Sequence, residues 1–204
     1  MMTEDDFHDL ENWEAEWVRR ERLLNPDPSY WRWSPTPLPK VREMMAVADM
    51  VAEGDPPTFF DAGCGIGTKL ALARDMFGWI ATGYELYDEY VEFAVREFHV
   101  NVCQANLRVN QPDYSQYDVV MTSRPFKDDD EECAWERHVQ SEMRPGAILI
   151  GTHLGVKPYS WRWLYRAQWR CVAVKPVDGE RDWTEVNVPD MRPRPAEDIL
   201  ATQG

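Results

Sequence analysis

Between positions 4 and 24, apolar residues recur at Phe7, Leu10, Trp13, Trp17 and Leu24, spacings that trace one face of an α-helix. Asn25-Pro26-Asp27-Pro28 ends it. An irregular stretch with prolines at 35, 37 and 39 follows Tyr30-Trp31-Arg32-Trp33. Val41, Met44, Met45, Ala48, Val51 and Ala52 then form a second stripe, which predicts a helix over residues 38–53. Gly54-Asp55-Pro56-Pro57 stops that helix, and the pattern changes. Short apolar runs at 58–60, 79–85, 100–104, 117–122 and 147–150 read as strands, with helices over 68–77, 87–97 and 129–142 between them. Such alternation predicts an α/β, Rossmann-like doubly wound sheet, mostly parallel, with right-handed crossovers. Residues 159–169 carry a further helical pattern, and 171–175 and 183–188 read as an antiparallel terminal hairpin around Val177-Asp178-Gly179-Glu180. The expected organisation is a helical extension (1–55), an α/β domain (56–190) and a Pro-rich polar tail (191–204).

The first strand ends in Asp61, and glycines follow at 63, 65 and 67 before a helix begins. Glycine lets backbone bend sharply and approach a ligand closely, and the helix start offers unpaired N–H groups. The dinucleotide pattern G-x-G-x-x-G fails, because Thr68 or Leu70 stands where its last glycine belongs. The phosphate-binding G-x-x-x-x-G-K-[ST] fails too, because Thr68 separates Gly67 from Lys69. An acid here repels a pyrophosphate and attracts a cation. S-adenosylmethionine is such a ligand, with an ammonium, a sulfonium and an adenosine. Glu85, closing the second strand, is placed to accept both hydroxyls of a ribose.

In order, FFDAGCGIG, GYE, QANL, YDVVMTSRPF and MRPGAILI resemble the motifs of the class I S-adenosylmethionine-dependent methyltransferases, over about residues 56–155. The resemblance implies that Asp61, Gly63 and Gly65 line the methionine moiety, within a loop that also holds Cys64 and Gly67. It implies that Glu85 holds the ribose and that Leu107 offers its backbone N–H. Asn106 stands where the family usually has an aspartate for the adenine amino group, and an amide oxygen accepts the same hydrogen bond. Ser123-Arg124-Pro125-Phe126 occupies the place of the [DNS]-P-P-[FYW] sequence of amino-directed relatives, so Ser123, Arg124 and Phe126 are the catalytic candidates. Arg124 departs from that pattern. With Lys127 it suits a carboxylate or phosphate on the acceptor, or else it pairs with the acidic run 128–132. That run reads as the first turn of the following helix, where carboxylates meet the positive end of the dipole.

Net charge is −14, which repels nucleic-acid phosphates and argues against, without excluding, a nucleic-acid substrate. Against this background the segment 157–170 is basic: Lys157, Arg162, Arg166 and Arg170 alternate with Trp161, Tyr165 and Trp169. These residues either stack planar ligands or cover the sheet with arginines along the rim. His153 is an acid/base candidate or a plain strand-end residue, and Tyr30–Trp33 a lid or core packing. Scattered Cys64, Cys103, Cys133 and Cys171, with equally dispersed histidines, predict no metal site and a reducing compartment. The acidic N-terminus and the lack of a long apolar run predict a soluble, cytoplasmic protein without membrane contact. The expected function is methyl transfer from S-adenosylmethionine to a small or exposed, anionic acceptor. The alternative is a cofactor-binding or assembly protein of the same fold, with ten tryptophans available to an interface such as a homodimer.

Overall fold

Phe59 and Phe60 are both fully buried, yet they belong to different cores. The computed structural model, which describes residues 2–21, 35–158 and 160–177, shows why. Successive residues of a strand point to opposite faces, and β1 (Thr58–Ala62) lies within a sheet covered on both sides. Phe59 shares one face with Val119, Met121, Ile148 and Ile150; Phe60 shares the other with Val120 and Leu149. Continuous apolar runs are what a parallel sheet buried on both faces requires.

The remaining strands are β2 (Ile80–Glu85), β3 (Asn101–Gln104), β4 (Val119–Thr122), β5 (Ile148–Thr152), β6 (Arg162–Ala167) and β7 (Arg170–Val174). Their order is β3-β2-β1-β4-β5-β7-β6. β1 to β5 are parallel; β7 runs antiparallel to β5, and β6 antiparallel to β7. Chain order reverses between β1 and β4, so a crevice opens beyond their carboxyl ends, the usual ligand position in open α/β sheets.

The helices are α1 (Glu4–Glu21), α2 (Leu38–Asp49), α3 (Thr68–Phe77), α4 (Asp88–Phe98) and α5 (Asp129–Glu142). Met44 and Met45 of α2 and Leu70 and Leu72 of α3 join the Phe59 core, while Trp135 and Val139 of α5 join the Phe60 core. Trp17 of α1 packs edge-on against Tyr90 and Phe93 of α4, with ring centroids 5.4 and 4.9 Å apart. The acidic run does open α5: Asp128 caps it, its side chain accepting from Glu131 N at 2.9 Å.

The helix expected over 159–169 is not formed. Residues 162–167 are a strand, and the hairpin turns at Gln168 and Trp169, with Gln168 at φ +43°. Spacing of four fits a helix face but defines no face of this strand: the register slips between Trp163 and Tyr165, and Arg162 and Arg166 pair with Val174 and Cys171, on opposite faces. The β-prone aromatics Trp163 and Tyr165, and the backbone partners offered by β7, decide the outcome. The expected strand 171–175 is therefore β7, but its hairpin partner precedes it. Residues 183–188, the aromatic run 30–33 and the tail lie outside the described residues.

Gly83 is closely packed within the sheet: an added Cβ would lie 2.8 Å from both Cβ and Sγ of Cys64 and 2.9 Å from Leu70 Cδ1. Gly83→Ala is expected to destabilise the domain by about 1–3 kcal/mol, the cost of overpacking a core. A denaturant midpoint unchanged from the parent would contradict this packing.

Candidate active site at the carboxyl edge of the sheet

The loop after β1 needs its glycines for shape. Gly63, Gly65 and Gly67 take φ of +77°, +57° and +82°, a left-handed region that penalises any Cβ. Gly63 N and Cys64 N both donate to Tyr84 O, at 2.9 and 3.0 Å, which ties the loop to β2. Gly65 N donates to Glu85 Oε2 at 2.8 Å. Gly67 caps α3, and a Cβ there would meet Ala94 at 2.8 Å.

Glu85 does more than end a strand. Its Oε1 also accepts from Leu86 N at 2.7 Å and Tyr87 N at 3.0 Å, so one buried carboxylate gathers three backbone donors from two loops. Burial raises its pKa, and those three N–H groups partly offset the shift.

Beneath the loop, Asp61 is wholly buried and meets Lys69 Nζ at 3.1 Å. The cation that Asp61 attracts is thus supplied by the first turn of α3. Burial raises the Asp61 pKa, with Lys69 opposing. Burial also disfavours the Lys69 ammonium, but Asp61 and Glu14 outweigh it and hold Lys69 charged. Glu14 of α1 accepts from Thr68 Oγ1 at 2.6 Å, and burial pushes its pKa up to about 7.

A cavity of about 300 Å³ occupies the crevice. Gly63, Lys69, Tyr84 and Glu85 line one end, Asn106 and Leu107 another, and Ser123, Arg124, Pro125 and Phe126 the wall beyond β4. Tyr87, Tyr90, Pro35 and His153 complete the surroundings. Of the residues singled out in the sequence, Gly63, Glu85, Asn106, Leu107, Ser123, Arg124 and Phe126 therefore share one space. Asp61, Cys64, Gly65 and Gly67 do not line it. Asp61 sits below Lys69, Cys64 is buried against Gly83, and Gly65 and Gly67 shape the bend.

Ser123 lines the cavity, and its Oγ is itself buried, with no hydrogen-bond partner among the described residues. Arg124, at φ +53°, forms an ion pair with Asp129. Phe126 packs edge-on against Trp135 (5.5 Å), under the Arg108 guanidinium (5.3 Å). Its N–H donates to Glu132 Oε2 at 2.8 Å. The Asn106 side chain accepts from Arg108 N at 3.0 Å.

Sequence reasoning passed over Lys69, Glu14 and a buried acid pair, Glu132 and Glu136, four apart on α5. Glu136 Oε2 accepts from Val156 N at 2.5 Å. Burial, reinforced by Glu136, pushes Glu132 up to about 8 from an ordinary 4.5, despite the Phe126 N–H. The folded protein therefore binds a proton that the unfolded chain releases above about 4.5, and stability falls as pH rises from there through 8. Glu14 adds to the same slope up to about 7. Glu132→Gln keeps an acceptor for Phe126 N–H and is expected to raise the melting temperature at pH 8 and to flatten its pH dependence above 7. Parallel melting curves for variant and parent between pH 6 and 8 would contradict this.

No family model matches the chain, and no curated protein matches it significantly. Solved structures do. An RNA methyltransferase from Salinibacter ruber, in complex with S-adenosyl-L-homocysteine, superposes with a TM-score of 0.56 at 20% identity, covering 72% of this chain and 96% of its own. The plantazolicin methyltransferase BpumL, with S-adenosylhomocysteine and a pentazolic desmethyl analogue, gives 0.51 at 14% identity, covering 68% of this chain and 51% of its own. A TehB-like methyltransferase from Corynebacterium glutamicum gives 0.50 at 13% identity, with 82% and 98% covered. At these identities the likeness establishes the architecture: this chain has the Rossmann-like fold of the class I S-adenosylmethionine-dependent methyltransferases.

Proposed function

We propose that this protein transfers a methyl group from S-adenosylmethionine to a small or exposed acceptor that carries negative charge. One observation carries the reading: Glu85, Lys69, Asn106 and Ser123 line one cavity at the point where strand order reverses. A cofactor bearing a carboxylate, a cationic sulfur, a ribose and a base needs this set of groups. Lys69 would hold the methionine carboxylate, Glu85 the ribose hydroxyls and Asn106 the adenine end. Gly63, where an added Cβ would meet only Pro125 among the described residues, at 3.6 Å, leaves the backbone open to close approach. When bound, the cofactor supplies a methyl group on a good leaving group, so the protein mainly positions the acceptor and excludes water.

Ser123 is the group that orients the acceptor, its hydroxyl able to accept from an amine or hydroxyl. The proteins of similar fold include ones named for RNA and for plantazolicin, so the fold itself does not choose the acceptor. Net charge of −14 argues against a nucleic-acid acceptor, while the cation Arg124 at the cavity favours a small acceptor with its own negative charge. Release of S-adenosylhomocysteine from S-adenosylmethionine, followed with amine and hydroxyl acceptors bearing carboxylates or phosphates, tests the proposal. Cofactor binding with no release on any acceptor would favour the alternative of a cofactor-binding or assembly protein.

A further inference from the structure

The hairpin that replaces the expected helix brings a second cavity to the same edge of the sheet. In register, Arg170 stands opposite Thr152, so the β6–β7 turn projects from the carboxyl end of β5. The cavity encloses about 740 Å³ and shares Arg124 and His153 with the first, so the two adjoin. Lys157, Arg166 and Arg170 enter it, from the segment after β5 and from the hairpin. None of these three forms an ion pair among the described residues; the Arg166 guanidinium lies 5.3 Å over the Trp163 ring.

Its acids do not cancel that charge. Asp129 is paired with Arg124, and Glu132 is buried, accepting from Phe126 N. In a chain of net charge −14, this cavity therefore holds a local excess of positive charge. It also has a flat aromatic wall. Trp169, 61% exposed on the turn, stacks on His153 with centroids 5.9 Å apart and planes 12° from parallel, held there because His153 N donates to Trp169 O at 2.6 Å. A large exposed indole beside fixed guanidinium groups recognises a flat ring with an anionic substituent.

We propose that this second cavity is the acceptor-binding site, and that it takes a planar aromatic or heteroaromatic molecule bearing a carboxylate or phosphate. The inference rests on the methyl-transfer reading for its role, while the binding chemistry follows from the cavity alone. The ring lies along Trp169, the anion meets Arg166, Arg170 and Lys157, and the far end reaches past Arg124 and His153 towards Ser123.

The test is calorimetric titration of the full chain, with and without saturating S-adenosylhomocysteine, using 2-naphthoate and adenosine 5′-monophosphate as anionic probes. Their neutral counterparts are 2-naphthalenemethanol and adenosine. At least one anionic probe is expected to bind tenfold or more tightly than its counterpart, and the two arms tell carboxylate from phosphate. Arg166→Ala with Arg170→Ala is expected to weaken that probe at least tenfold and Trp169→Leu several-fold, both leaving S-adenosylhomocysteine affinity unchanged. That unchanged affinity shows the variants are folded. Anionic probes that fail to bind, or bind the double variant equally, would overturn the proposal even if S-adenosylhomocysteine binds. Failure of S-adenosylhomocysteine with the probes still selective would instead overturn the cofactor reading. Tighter, strongly salt-dependent binding of an RNA oligomer than of the mononucleotide would also overturn it, in favour of a nucleic-acid substrate.

Discussion

Lys69→Met is expected to lower stability by about 3–5 kcal/mol, the scale for removing one partner of a buried ion pair. Lys69 and Asp61 are almost wholly buried, and they meet at 3.1 Å. Without Lys69, Asp61 stays in the core as an uncompensated charge or takes up a proton, for which burial already raises its pKa. Adding Asp61→Asn removes the charge and should restore most of the stability. It should not restore the ligand. Lys69 also lines the cavity, where its ammonium is the partner assigned to the methionine carboxylate. Both variants should therefore bind S-adenosylhomocysteine some tenfold to hundredfold more weakly, matching about 1.5–3 kcal/mol for a hydrogen bond to a charged group. Urea unfolding and calorimetry on both proteins separate the two effects. Wild-type affinity in the double variant would remove Lys69 from the cofactor site.

Glu85→Gln is the second large effect, and its origin is geometric. Both Glu85 oxygens accept from backbone: Oε2 from Gly65, Oε1 from Leu86 and Tyr87. An amide has one oxygen and one NH₂, so whichever way it turns, a donor faces a donor. The expected cost is about 1–3 kcal/mol of stability, as for a buried polar group left unpaired. On the proposed reading the ribose loses its charged acceptor at the same time, and S-adenosylhomocysteine affinity should fall at least tenfold. Glu85→Gln with parental stability and affinity would show that the carboxylate organises neither the loops nor the ligand.

The central strands β1, β4 and β5 were legible because they are buried on both faces, which writes them as mostly apolar runs such as Val119–Thr122 and Ala147–Ile150. The bend after β1 was legible because three alternating positive φ values demand three alternating glycines. Two kinds of information were hidden. Residues 162–167 carry a spacing of four that suits a helix face, and only the pairing with β7, with its slip between Trp163 and Tyr165, makes them a strand. Lys69 served in the sequence merely to exclude a phosphate loop, since nothing local reveals that the first turn of α3 folds back over the end of β1. Asp61 consequently looked like a ligand contact, whereas it meets a cation from its own chain. Glu132 counted only as part of the acidic first turn of a helix, and no local signal marked Glu136; their burial follows from packing against residues 155 and 156 and the Phe126 backbone.

The central claim is that the crevice between β1 and β4 holds a sulfonium nucleoside. Calorimetric titration of the full chain with S-adenosylhomocysteine, with NAD and ATP as competitors, measures this most directly. The expected result is one site per chain, displaced by S-adenosylmethionine and indifferent to NAD and ATP. Absence of binding heat across a range of temperatures, or displacement by either competitor, would contradict it.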